Sequence, residues 1–69
     1  MRPLTEKQLQ VVQRICYTNK VIARELGTTD TAVRMVFKRL FDRTGVDNRT
    51  ALLVKLLRDG VVKLEDIKW

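Results

Sequence analysis

The sequence predicts an all-α fold, a compact four-helix bundle formed as one domain over residues 1–69. Three observations predict it. Apolar residues recur at three- and four-residue spacing in separate stretches. Residues that cap helix starts (Thr5, Thr18 or Asn19, Thr28 or Thr29, Asp47 or Asn48) precede those stretches, and Gly27, Gly45 and Gly60 follow three of them. No internal repeat and no Gly/Ser linker divides the chain. A chain of 69 residues buries only about 60% of the surface its unfolded form exposes, which leaves room for one small domain and none for a deep catalytic cleft.

The first helix is expected over 6–17. Thr5 and Gln8 form a Thr-x-x-Gln capping box, and Leu4 and Leu9 occupy the flanking positions of a hydrophobic staple, so the helix starts at Glu6. Leu9, Val12, Ile15 and Cys16 mark its inward stripe, with Gln10, Gln13 and Arg14 left for solvent. Thr18 or Asn19 caps a second, short helix over 19–26, whose inward residues are Ile22, Ala23 and Leu26. Gly27 can take the left-handed conformation that ends a helix, and Thr28 and Thr29 offer caps for the next. The result is helix, tight turn, helix. In the third helix, over 30–43, Val33, Val36, Phe37, Leu40 and Phe41 fall at i, i+3, i+4, i+7 and i+8, a stripe wide enough for two partner helices. Gly45 ends it. Asp47 or Asn48 then caps a fourth helix over 48–58, with Gly60 as its stop. The tail over 61–69 carries Leu64, Ile67 and Trp69, apolar for a chain end; a folded turn around 64–67 can dock on the bundle or present itself to another protein.

Composition narrows the function. With 45% hydrophobic and 32% charged residues, the chain suits a folded globule. A net charge of +6 makes nucleic acid the leading partner class. Cys16 is the single cysteine, read as a small core residue in a reducing, cytoplasmic setting. The chain has no histidine, no nucleophile with a base partner and no phosphate-cradling Gly loop, so no enzyme, metal site or cofactor is expected, and no small-molecule partner is evident. No apolar run approaches the ~20 residues of a membrane span, and Met1-Arg2-Pro3-Leu4 lacks a signal-peptide core.

On a wheel at about 100° per residue, Val33, Phe37, Leu40 and Thr44 share one direction of the third helix, while Thr31, Met35, Lys38 and Asp42 point the other way. Arg34 and Arg39 flank that outer face. A helix presenting Arg and Lys just behind a Gly turn suits the DNA major groove, where these side chains donate to guanine O6 and N7. Its N-terminal half enters first, which selects Arg34, Met35 and Lys38 as base readers. The bland reading of the same charges is a solvated face. An outward Met35 has no packing role within one chain and calls for a partner surface.

Leu4-Thr5, Asn19-Lys20-Val21-Ile22-Ala23-Arg24-Glu25-Leu26-Gly27, Thr31-Ala32-Val33-Arg34 and Gly45-Val46-Asp47-Asn48-Arg49-Thr50 together resemble the LuxR-type (GerE/NarL-like) helix-turn-helix domain. The resemblance runs from Leu4 to about Leu57. It implies a four-helix bundle, winged-helix-like without the wing, that binds double-stranded DNA as a homodimer. It places base contacts on Arg34, Met35 and Lys38, and implies phosphate contacts from Asn19, Lys20, Thr29, Thr31 and Arg39. The chain departs from the pattern in a first turn about two residues shorter, in Glu6 where proline is usual, in Thr44 for a core leucine, in Val36, and in Asp42, which can pair with Lys38 one turn earlier.

Leu52 and Leu56 point one way on the fourth helix, Val54 nearly opposite, and Leu53 and Leu57 between. That excess of apolar surface predicts a homodimer through Leu53, Val54 and Leu57, or a tail that covers them within one chain. The function expected is a small sequence-specific transcriptional regulator, and Met1, read as the native start, favours a protein that is little more than its DNA-binding domain. The alternatives are an adaptor or inhibitor that captures another regulator through the fourth helix and tail, and a module similar to sigma-factor region 4.

Overall fold

The computed structural model describes residues 3–69. Four helices follow in order: α1 (Glu6–Gln13), α2 (Asn19–Leu26), α3 (Asp30–Thr44) and α4 (Arg49–Arg58), with a 3-10 turn at Leu64–Asp66. No strand occurs among the described residues, and the all-helical bundle expected from the sequence is the architecture found.

Each helix begins where a side chain satisfies a backbone N–H left without a partner. Thr5 and Gln8 close the expected capping box at 3.1 Å in both directions. Thr18, Thr29 and Asn48 accept from the N–H groups of Val21, Ala32 and Ala51. These bonds choose Thr18 over Asn19, Thr29 over Thr28 and Asn48 over Asp47. Gly27, Gly45 and Gly60 all have positive φ, and all three lie just past a helix.

The core joins Val11, Val12 and Ile15 with Ile22 and Ala23, then Val33, Phe37 and Leu40 of α3, Leu52 and Leu56 of α4, and Val62 and Ile67 of the tail. α3 runs through the middle and packs on each of the other helices. Thr44, in place of an apolar residue, is accommodated because its hydroxyl donates to Leu40 O at 2.7 Å.

One expectation is corrected at α1, which ends at Gln13 rather than near Tyr17. Arg14, Ile15 and Tyr17 donate to the carbonyls of Val11, Val12 and Arg14, each three residues back, so the chain winds tighter to reach the Thr18 cap. That change of period turns Cys16 out of the expected stripe. Cys16 is exposed, and Val11, fully buried, fills the core in its stead.

The tail docks in part. Val61 and Gly60 donate back to Leu56 O and Leu57 O, reversing the chain after α4. Ile67 and Val62 are buried, and the Lys68 N–H donates to Gln13 O at 2.7 Å. Leu64 and Trp69 stay 56% and 76% exposed, so of the three apolar tail residues only Ile67 joins the core.

Candidate nucleic-acid interface

The turn between α2 and α3 fixes the angle at which α3 leaves the bundle. Gly27, at φ 65°, carries the left-handed step, and the N–H groups of Gly27 and Thr28 bond back to Arg24 O and Ala23 O. This double closure satisfies two of the last four carbonyls of α2. Thr29 then caps α3, and Asp30 in its first turn complements the helix dipole.

α3 is two-sided, as the wheel indicates. Val33, Phe37 and Leu40 are at most 3% exposed, whereas Thr31, Arg34, Met35, Lys38 and Arg39 are all exposed. Thr31, Arg34, Met35 and Lys38 line one shallow depression, so the structure brings the three expected base readers together. Asp42 is exposed on the same helix, and the expected Lys38–Asp42 pair does not form.

The other expected contact residues sit at helix starts. Asn19 and Lys20 open α2, Lys20 exposed and Asn19 half-buried. Thr29 spends an oxygen lone pair on the Ala32 N–H, which leaves its hydroxyl hydrogen available as a donor. On α4, Val54 is 49% exposed, while Leu53 and Leu57 are half-buried against the core. Val54 borders a depression with Val46, Ala51, Lys55 and Arg58.

Sequence reasoning missed Arg49. Its Nη1 donates to Asn19 Oδ1 at 2.9 Å, and its Nη2 donates to Ile15 O at 2.8 Å and to Tyr17 O at 2.7 Å. The guanidinium carbon lies 4.3 Å from the centroid of the Phe37 ring. One side chain therefore ties the start of α4 to the turn before α2 and to the inner face of α3. Burial lowers the Arg49 pKa from its ordinary value, opposed by the nearby Cys16 thiol group. Arginine nonetheless stays protonated at neutral pH. The signal that could have found Arg49 is its place: a cation in the first turn of a helix opposes the dipole, so something else must hold it there.

No cluster of His, Cys, Asp and Glu able to hold a metal ion occurs among the described residues. Among the described residues no helix is long and apolar enough to cross a membrane.

Over 63 residues the chain is 29% identical to YxjL of Bacillus subtilis (strain 168), which is named as an uncharacterized transcriptional regulatory protein. The match covers 88% of this chain and 29% of that protein, so the chain spans less than a third of the length of its relative. No protein-family profile and no solved structure matches.

Proposed function

We propose that this chain is a sequence-specific DNA-binding domain of the LuxR type, acting in transcriptional regulation with α3 in the major groove. The observation that carries the reading is the division of α3: Arg34, Met35 and Lys38 exposed together around one depression, on a helix whose inner face of Val33, Phe37 and Leu40 is almost fully buried. Arg34 and Lys38 supply donors for guanine edges and Met35 an apolar contact to a thymine methyl. Lys20, Arg39, Thr29, Thr31 and Asn19 supply the phosphate contacts that set register. The similarity to a transcriptional regulatory protein supports the regulatory role.

The domain acts as a homodimer through Leu53, Val54 and Leu57, which presents two α3 helices to half-sites about one DNA turn apart. The half-exposed Val54 and the depression it forms with Val46 and Ala51, rimmed by Lys55, Arg58 and Asp59, support this. Exposed Leu64 and Trp69 support a protein partner at the tail.

Selection of duplexes from a random pool against the purified protein, followed by binding at several salt concentrations, tests the reading. An enriched motif with affinity that falls as salt rises is expected. Recovery of no motif refutes sequence-specific reading.

A further inference from the structure

We infer that Arg49 is a positioning residue for DNA contact: bonded to Asn19 Oδ1 and stacked on Phe37, it aims the Asn19 Nδ2 donor at a DNA phosphate in register with α3. The inference rests on the DNA-binding reading above. An amide has one accepting end and one donating end, and a guanidinium only donates, so Oδ1 must face Arg49. Nδ2 then points away. It has no acceptor among the described residues, yet it is not among the buried atoms lacking a partner, so it meets solvent.

Asn19 is not needed as a cap, because Thr18 already accepts from the Val21 N–H. Its amide is thus fixed at one end and open at the other, at the first residue of the helix that precedes the reading helix. Arg49 reaches both structures at once. Phe37, under its guanidinium, lies on α3 between Arg34 and Lys38 along the chain. A charged group with its Nε buried and unpartnered is a poor way to fill space, since an apolar side chain would cover Phe37 without desolvating a cation. What the guanidinium adds is direction: three acceptors are held at fixed angles by one rigid plane.

The test compares wild type, Asn19→Asp, Asn19→Ala, Arg49→Met and the Asn19→Ala/Arg49→Met double variant. Each is melted by circular dichroism, then titrated with a selected DNA duplex at several salt concentrations, at a temperature where all five are folded. Asn19→Asp is expected to keep or raise the melting temperature, because a carboxylate accepts more strongly from the guanidinium, while DNA affinity falls about tenfold. That carboxylate also repels phosphate whatever Arg49 does, so Asn19→Ala carries the discrimination: a purely structural pair would lower the melting temperature and leave the affinity of the folded protein unchanged. Arg49→Met keeps the packing on Phe37 and is expected to weaken binding about as much as Asn19→Ala, with the double variant no weaker than the weaker single one. The salt dependence should match wild type in Arg49→Met. A log-log slope shallower by about 0.9 would make Arg49 a phosphate contact itself and overturn the inference. Full wild-type affinity in Asn19→Asp, or additive losses in the double variant, also overturns it while leaving the DNA-binding reading intact. Failure of the wild-type chain to bind any duplex removes both.

Discussion

The Arg49 guanidinium lies 4.3 Å from the centre of the Phe37 ring while its Nη2 spans Ile15 O and Tyr17 O, so one side chain joins the start of α4 to α3 and to the connection between α1 and α2. Arg49→Ala leaves two carbonyls and the Asn19 oxygen without this donor and uncovers Phe37. Hydrogen bonds to a charged group contribute about 1.5 to 3 kcal/mol and the ring contact about 0.5 to 1. A loss of about 2 to 4 kcal/mol is expected. In a domain this small that lowers Tm by roughly 8 to 30 °C. Thermal melts followed by circular dichroism check it, and a drop of only a degree or two would show that Arg49 does not clamp the fold.

Local chemistry made most of the helical framework readable. Thr5 with Gln8, and the glycines at 27, 45 and 60, act within four residues of themselves, so their effect needs no knowledge of the rest of the chain. The two-sidedness of α3 follows from spacing for the same reason. Cys16 was misplaced because tertiary closure, not periodicity, decides where α1 stops. Arg49 went unassigned because its hydrogen-bond partners lie 30 to 34 residues earlier, and a sequence pattern carries no sign of a contact across that distance. Phosphate contact by Asn19 comes from resemblance, and its bond to Arg49 is visible only in three dimensions.

Leu40 and Val54 separate the core from the surface proposed for dimerisation. Leu40 is fully buried in the middle of α3, and Leu40→Ala is expected to cost about 2 to 5 kcal/mol, enough to unfold much of a marginal domain. Val54, half-exposed, contributes little to the monomer. Val54→Lys should leave Tm of dilute protein within a few degrees of wild type yet shift sedimentation from dimer to monomer. Equal sedimentation of the two proteins would place the dimer contact elsewhere.

The tail divides into anchored and free residues. Val62 and Ile67 are buried, whereas Trp69, the single tryptophan, is 76% exposed although its carbonyl accepts from the Tyr17 hydroxyl at 3.4 Å. Full burial of a side chain of the Val or Ile class contributes about 1.5 to 3 kcal/mol. Ile67→Asp should therefore destabilise the fold by at least that amount, while Trp69→Ala changes Tm by little. Wild-type tryptophan emission should be red-shifted and readily quenched by iodide in the monomer. A blue-shifted, protected emission at low protein concentration would contradict this placement.

Arg34 and Arg39 are both exposed on α3 but are expected to do different things to DNA. Arg34 shares its depression with Met35 and Lys38, where a bidentate bond to guanine is worth about 1 to 3 kcal/mol of discrimination. Arg34→Ala should therefore cost that much on the selected site, very little on a duplex already altered at the base pair it reads, and should relax preference at that one position. Arg39 flanks the face rather than sharing the depression, and a phosphate contact carries no sequence information. Its loss in Arg39→Ala should weaken selected and scrambled duplexes alike and reduce the log-log salt slope by about 0.9. The two arginines can be told apart by repeating the selection with each variant. An unchanged motif from Arg34→Ala, or a relaxed one from Arg39→Ala, would exchange their roles and turn α3 in the groove by roughly the angle between them.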